Sequence, residues 1–353
     1  IRVKLPYWLL FCLALLAIIN NSQAEPAKEQ AFKTPLSLSA AKIGNREQAL
    51  TLLNQDNFHQ ELLNLAQQLS GQDIKQQQMF DKVALLSILG QDDNLLATIN
   101  QHPNAISYSH YRLFNQTKLK QQDSSSSFNS LLTESLAHTL ATMDDEALYQ
   151  LEAALGWSLS RAQDYAFNIF KQYHELPILT KDQAINLIVN SHLYRVLAHV
   201  LPESNKLIAQ ENNKRYLIEP EILIKAPNGV ELAATIVKRK NVNDKQPTAM
   251  QFTIYADEKA HIRTATHAAV HGYVGVVVNS RGKRSSKNQI TPWEFEGQDA
   301  TSAIDWISKQ PWSNGKVMMY GGSYNGFTQW AAAKHMHPAL TAIAPYTAAS
   351  LIT

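Results

Sequence analysis

The feature that most constrains this chain is an apolar strand pattern that runs directly into two glycines, a serine and a helical pattern. The strand pattern covers residues 316–320, and Gly321, Gly322 and Ser323 precede a helical pattern that starts at Tyr324. Such a sharp turn requires small residues and exposes the serine hydroxyl above a sheet edge, at a helix N-terminus. The Tyr324 amide would point toward the same space and could donate a hydrogen bond to an oxyanion. The pattern therefore predicts a nucleophile elbow.

Spacing alone leaves other interpretations of this turn open. The commonest elbow is Gly-x-Ser-x-Gly, whereas here Asn325 takes the second glycine's place and Gly326 follows it. Ser323 could instead cap the helix, or the turn could bind a phosphate. A dinucleotide-binding turn is disfavoured, because its Gly-x-Gly-x-x-Gly pattern belongs at the first βα turn of the fold. These glycines come at the third strand or later.

Glycine usage divides the chain into two regions. Of 13 glycines, four precede residue 216 and nine follow it. Before that point, apolar residues three and four apart predict an all-α helical region over residues 45–215. After it, a hairpin with an Asn228-Gly229 turn leads into strands that alternate with helices. This alternation predicts a parallel sheet covered by helices, so the expected fold class is α/β, preceded by the helical region.

The N-terminus has the pattern of a signal peptide over residues 1–24. A basic start precedes an uncharged, mostly aliphatic run of 12 residues, and Ser22 and Ala24 occupy the positions that a signal peptidase reads. The run is short for a membrane span, which needs about 20 residues, although a single membrane anchor is the alternative. We expect export to the periplasm or exterior, with no membrane attachment after cleavage. Residues 25–44 show no clear period and are predicted to be a linker.

Composition disfavours several other functions. The net charge of +2 is too small for a nucleic-acid-binding surface. The single cysteine, Cys12, lies within the predicted signal peptide, which excludes cysteine catalysis in the exported chain. His261, His267 and His271 share one predicted helix, and the spacing of the last two would suit a metal pair. No third ligand is evident, so we do not expect a metal site.

The residues around the elbow resemble those of a known family. Residues 312–317 and 321–330 resemble the Xaa-Pro dipeptidyl-peptidase and cocaine-esterase-type (CocE/NonD) serine hydrolases, whose elbow reads Gly-x-Ser-Tyr-x-Gly. That pattern accounts for the displaced glycine at Gly326. The family belongs to the α/β-hydrolase superfamily. The resemblance implies that residues 216–353 form the N-terminal portion of such a catalytic domain.

Segments upstream of the elbow extend the resemblance over residues 219–353. Residues 305–312 resemble the helix and loop that precede the family's elbow. Arg281 and Gly282 resemble its Asp-x-Arg-Gly turn, although this chain has Asn279 where the family has the aspartate. The usual hydrogen bonds of that turn are therefore in question.

The resemblance implies three roles at the site. Ser323 would be the nucleophile and the backbone amide of Tyr324 one oxyanion donor. The family's second donor is a tyrosine hydroxyl just after an earlier strand, and Tyr255 closes the predicted strand at residues 249–255. An ordinary aromatic residue at a strand end is the alternative for Tyr255. The implied reaction is hydrolysis of small esters, amides or peptides through an acyl-enzyme, with Xaa-Pro peptides and α-amino acid esters among the substrates. The resemblance implies neither a metal nor an organic cofactor.

The acid and base of a triad are expected outside this chain. In α/β-hydrolases both follow the nucleophile, yet the 30 residues after Ser323 contain no Asp or Glu. Their histidines are His335 and His337, and His335 lies on the order of 18 Å along the helix from Ser323. We therefore expect the chain to be a fragment that is inactive alone. The alternative is a non-catalytic helical scaffold on a degenerate hydrolase fold. The helical region is expected to cover the site, bind partners or self-associate.

Overall fold

The computed structural model describes residues 30–226 and 229–349. The predicted signal peptide and part of the predicted hairpin turn lie outside the described residues, so both stay predictions. Within the described ranges, no helix combines the length and the apolar character needed to span a bilayer.

The described chain forms two compact units. Unit 1 contains the described residues up to Leu119 together with Trp157–Val200, and unit 2 contains Lys120–Gly156 together with the described residues from Leu201 onward. Packing therefore assigns residues 120–156 to the unit that holds the sheet. The predicted boundary at residue 216 marks the change from helical to α/β pattern. As a domain boundary it stays a prediction.

Unit 1 is helical apart from two very short strands. Its elements are β1 (Phe32–Lys33), α1 (Leu36–Ala40), α2 (Arg46–Leu53), α3 (Asp56–Ala66), α4 (Gly71–Gln76), α5 (Met79–Ile88), α6 (Asp92–Asn100), a 3-10 turn (Ala105–Tyr108), most of α7 (Ser109–Gln122), α10 (Leu159–Tyr173), β2 (Ile178–Leu179) and the first part of α11 (Lys181–Arg215). Capping residues begin several of these helices. For example, the Asn45 side chain accepts from the Gln48 amide at the start of α2.

The linker predicted for residues 25–44 is not observed over residues 30–44, which contain a strand and a helix. β1 pairs with β2 in an antiparallel arrangement, and α1 follows directly. Phe32 and Leu38 are fully buried, which stabilises a structure by about 1.5–3 kcal/mol for each such side chain. A two-residue strand and a five-residue helix are too short to show a hydrophobic period, so the pattern did not reveal them.

A buried polar cluster lies in unit 1. The Ser87 hydroxyl lies 2.8 Å from His192 Nε2 and accepts a 2.8 Å hydrogen bond from Asn115. His110 is fully buried, and neither of its ring nitrogens has a hydrogen-bond partner. Burial lowers the pKa of His110 to about 3 and holds the pKa of His192 well below its ordinary value. Both imidazoles are therefore neutral in the folded state near neutral pH.

Unit 2 contains a six-stranded mixed sheet in the order β3-β4-β6-β5-β7-β8. Its elements are α8 (Phe128–Thr142), α9 (Asp145–Ala154), the end of α11, β3 (Tyr216–Lys225), β4 (Glu231–Arg239), β5 (Gln246–Thr253), α12 (Glu258–Val270), β6 (Val274–Asn279), α13 (Glu296–Ser308), β7 (Ser313–Ser323), α14 (Tyr324–Ala333) and β8 (Leu340–Ala348). β4 runs antiparallel to both of its neighbours, whereas β6, β5, β7 and β8 are parallel. The predicted α/β class with a preceding helical region is confirmed.

Side-chain contacts of α9 explain why residues 120–156 belong to unit 2. Asp145 accepts from Arg215 at 3.0 Å and forms an ion pair with Arg239 of β4 at 3.1 Å. The Tyr149 ring packs on His267 of α12, with centroids 5.0 Å apart. These contacts join residues distant in sequence, so a local hydrophobic pattern could not predict them.

The neutral histidines of unit 1 predict a loss of stability in acid. The unfolded chain binds protons on His110 below about pH 6.5, whereas the folded state does not bind one there until about pH 3. Stability should therefore fall as the pH falls through this window, by about 1.4 kcal/mol per pH unit for each such histidine. Thermal unfolding at pH 7, 6, 5 and 4 should show a weaker pH dependence for His110→Leu than for the unmodified chain. Equal pH dependence in the two proteins would contradict the assignment.

Candidate active site

Ser323 has a strained backbone at the junction of β7 and α14. Its φ is 54° and its ψ is −121°, a region that non-glycine residues avoid at a cost of about 1–3 kcal/mol. The side chain is exposed and makes no capping hydrogen bond to the helix. The interpretation of Ser323 as an ordinary helix cap is therefore not supported. The residue has the backbone geometry of a nucleophile elbow.

The glycines around Ser323 are required by close contacts. A Cβ atom on Gly322 would lie 2.3 Å from the Tyr346 ring of β8. A Cβ on Gly326 would lie 2.8 Å from the Ala348 Cα, and Gly321 has a φ of 132°. Contact with β8 therefore falls on the third residue after the serine, which explains why the second glycine is displaced by one position.

Two buried polar side chains of α14 connect the elbow to its neighbours. Gln329 donates to the Gly321 carbonyl at 3.0 Å and accepts from the Ala344 amide of β8 at 2.9 Å. Thr328 donates to the Phe252 carbonyl of β5 at 3.0 Å. The sequence analysis did not assign these roles. The available signal was a pair of polar residues inside a helix that packs on a buried sheet.

Tyr324 contributes its backbone and its side chain in different ways. Its amide belongs to the first turn of α14, where amides lack an acceptor within the helix. Its buried hydroxyl donates to the Glu296 carboxylate and accepts from the Trp293 amide at 3.3 Å. Burial, reinforced by Glu296, raises the pKa of the Tyr324 phenol. The phenol therefore stays protonated and connects the elbow to the start of α13.

Tyr255 lies just beyond the carboxyl end of β5, next to the strand that carries Ser323. Met250 pairs with Met319 in the parallel ladder, so three residues further on, Thr253 is level with Gly322. Tyr255 follows two residues later and is 54% exposed. The register thus brings Tyr255 to the same sheet edge as Ser323, where an oxyanion donor is expected.

In the turn after β6, the side chains of Asn279 and Arg281 form hydrogen bonds to neighbouring elements. Asn279 donates to the Thr253 carbonyl at 3.3 Å and to the Tyr255 carbonyl at 2.8 Å. Arg281 forms a bidentate pair with buried Asp299 at 2.6 and 2.8 Å. Hydrogen bonding to Asp299 raises the pKa of Arg281. The bonds from Asn279 differ from those that an ionised aspartate could make, because its side-chain amide donates to two carbonyls at the end of β5.

A cavity of about 850 Å³ lies along the exposed side of α14. Aromatic side chains form much of its wall, namely Trp293, Phe295, Phe327 and Trp330. Ser323 and Tyr255 are absent from its lining, although Ala349, which does line it, donates to the Ser323 carbonyl at 3.1 Å. The cavity adjoins the elbow without containing the candidate nucleophile. We therefore do not assign it as the reaction site.

His335 and His337, the histidines that follow the elbow, contact parts of the structure other than Ser323. His335 lies beyond the end of α14 and lines the cavity, and His337 Nε2 lies 3.5 Å from Asp305. Across residues 30–226 and 229–349, no cluster of three or more His, Cys, Asp or Glu side chains could hold a metal ion. The described residues thus bring Ser323 and Tyr255 to one sheet edge without a histidine hydrogen-bonded to the serine.

Comparisons with known proteins agree with the resemblance of the motifs. Residues 228–352 match the model of the X-Pro dipeptidyl-peptidase (S15) family. The cocaine esterase of Rhodococcus sp. (strain MB1 Bresler) is 39% identical over 79 residues, which are 22% of this chain and 14% of that protein. The chain thus spans a small part of its curated relative. The resemblance to this hydrolase family is confirmed for residues 228–352.

Solved structures of hydrolases are also similar to part of the chain. A CocE/NonD family hydrolase from Staphylococcus aureus is 27% identical, covers 36% of this chain and 27% of its own, and has a TM-score of 0.33. An α-amino acid ester hydrolase is 30% identical, with coverage of 38% and 26% and a TM-score of 0.33. Because these TM-scores are low, the fold assignment rests on the strand order and the elbow geometry of this chain.

The close contacts at the elbow predict different effects for alanine at different glycines. Gly326→Ala should destabilise unit 2 by about 1–3 kcal/mol, because its Cβ would overlap with Ala348. Gly71→Ala is the control, since a Cβ there meets no atom within 4 Å and its φ is not positive. Chemical unfolding of the chain measures both variants. The packing account fails if the two substitutions have equal effects.

Proposed function

We propose that the protein containing this chain is a serine hydrolase that cleaves ester or amide bonds through an acyl-enzyme on Ser323. The observation that carries the proposal is the strained backbone of Ser323, which exposes a hydroxyl that does not cap its helix. Strain at a single non-glycine residue is costly and is concentrated at functional sites. The family match over residues 228–352 supports the same class of reaction.

In the proposed reaction, the Ser323 hydroxyl attacks the substrate carbonyl as a base removes its proton. The negative charge that develops on the carbonyl oxygen is stabilised by the Tyr324 amide and the Tyr255 hydroxyl. Water then hydrolyses the acyl-enzyme. The acid and base of the triad are proposed to come from residues outside 30–349, because the histidines that follow the elbow in this range lie elsewhere.

The proposed substrates are small esters, amides or peptides, with Xaa-Pro peptides and α-amino acid esters as the first classes to test. The support is the match of residues 228–352 to the X-Pro dipeptidyl-peptidase family and the 39% identity of 79 residues to a cocaine esterase. Export of the protein stays a prediction from residues 1–24. A role of unit 1 in self-association also stays a prediction.

Substitution of the nucleophile should abolish covalent labelling. In the natural protein that contains this chain, Ser323→Ala should remove labelling by a fluorophosphonate probe, because the probe requires an activated serine hydroxyl. Ser302→Ala is the matched control, since Ser302 is half-buried on α13 and its hydroxyl bonds only to the Gln298 carbonyl of its own helix. Labelling of Ser323→Ala at the level of the control would refute the proposal. Absence of labelling in all three proteins would favour the non-catalytic scaffold.

Removal of the Tyr255 hydroxyl should slow catalysis without weakening substrate binding. Tyr255→Phe should lower kcat by about 100-fold, as expected for the loss of one oxyanion donor, with KM nearly unchanged. Steady-state hydrolysis of a p-nitrophenyl ester provides both constants. A kcat equal to that of the unmodified protein would identify Tyr255 as an ordinary aromatic residue at a strand end.

A further inference from the structure

The backbone that carries Tyr255 is held by an unusual number of side-chain hydrogen bonds. The Tyr255 carbonyl accepts from Asn279 Nδ2 at 2.8 Å and lies 2.9 Å from His261 Nε2. The Tyr255 amide donates to the Thr253 hydroxyl at 3.1 Å. The backbone N–H and C=O groups of Tyr255 therefore both have side-chain partners. The Tyr255 side chain itself is largely exposed.

The chemistry of these partners fixes the direction of each bond. A carbonyl oxygen only accepts, so His261 must donate its Nε2 proton. Burial lowers the pKa of His261, and its Nδ1 has no hydrogen-bond partner, so the neutral ring carries its single proton on Nε2. At Asn279 the amide nitrogen donates, whereas an ionised aspartate in its place would present only acceptors to the two carbonyls.

The position of both donors argues against a role in stability alone. Asn279 is fully buried at the end of β6, and its Oδ1 has no hydrogen-bond partner. His261 is buried on α12, the helix that begins three residues after Tyr255. Two buried polar side chains, each with an unsatisfied atom, are costly for a protein to retain. Their satisfied atoms meet at one carbonyl, that of the residue proposed as the oxyanion donor.

We propose that Asn279 and His261 are positioning residues, which hold the Tyr255 backbone so that its phenol lies over the Ser323 hydroxyl. The inference rests on the proposed role of Tyr255. It extends that role to a network of two side chains from β6 and α12. An oxyanion donor must lie within about 2.7–3.1 Å of the developing charge, so small displacements of this peptide reduce kcat.

A double-mutant cycle tests the proposal in the natural protein that contains this chain. Asn279→Leu is nearly isosteric and removes the donor without introducing the aspartate that the resembling family has at this position. It should lower kcat for a p-nitrophenyl ester by about 10-fold with KM within about 2-fold, because the loss acts in the transition state. In a Tyr255→Phe background the same substitution should change kcat by less than about 2-fold, because no phenol remains to be positioned.

A second pair of variants separates positioning from folding. His261→Gln keeps a side-chain donor and should retain most of kcat. His261→Phe fills the space without a donor and should reduce kcat as Asn279→Leu does. Thr266→Val is the control, since it removes a buried hydroxyl of the same helix that bonds only to the Ile262 carbonyl. It should leave kcat and its dependence on Tyr255 unchanged.

The outcomes distinguish the inference from the function on which it rests. An equal loss of kcat for Asn279→Leu with and without the phenol would overturn the positioning role while leaving Tyr255 as a donor. An unchanged kcat for Tyr255→Phe alone would reject both the oxyanion role and the positioning role. Hydrolysis that persists in Ser323→Ala would reject the proposed function as a whole.

Discussion

The close approach of β8 to the turn after β7 is the constraint on which the rest of the site depends. A Cβ on Gly326 would overlap with the Ala348 backbone, and a Cβ on Gly322 would displace the Tyr346 ring. With both neighbours in contact, the chain turns within a single residue, and Ser323 adopts the positive φ. Gln329 bonds to the Gly321 carbonyl and to β8 on the buried side, which offsets part of the strain. At this turn the Ser323 side chain is exposed.

The parallel sheet extends this local constraint to a second element. Because β5 and β7 are neighbours in register, the residues that follow β5 reach the same edge as the elbow. Tyr255 is held there by donors from β6 and α12, while Thr328 connects α14 to the end of β5. The nucleophile and the proposed oxyanion donor are thus connected through backbone carbonyls and not through direct side-chain contact. Such an arrangement limits how far either group can move relative to the other.

Local patterns predicted the strands and helices of unit 2, because each buried element shows its own period in sequence. The predicted strand at residues 316–320 is observed from Ser313 to Ser323, since pairing with β8 continues through the glycines. What the sequence could not predict depends on contacts between distant residues. The assignment of α9 to unit 2 depends on ion pairs of Asp145 with two arginines. The bonds from Asn279 to the Thr253 and Tyr255 carbonyls depend on the ends of two strands meeting, so the sequence left the hydrogen bonds of that turn in question.

The most direct test of the account is a crystal structure of the natural protein after reaction with an organophosphonate ester. The account predicts a covalent bond from phosphorus to the Ser323 hydroxyl oxygen. It also predicts a phosphonyl oxygen within about 2.7–3.1 Å of both the Tyr324 amide and the Tyr255 hydroxyl. An adduct on another residue would contradict the nucleophile assignment. An adduct on Ser323 with its phosphonyl oxygen bonded to neither tyrosine would contradict the proposed oxyanion site.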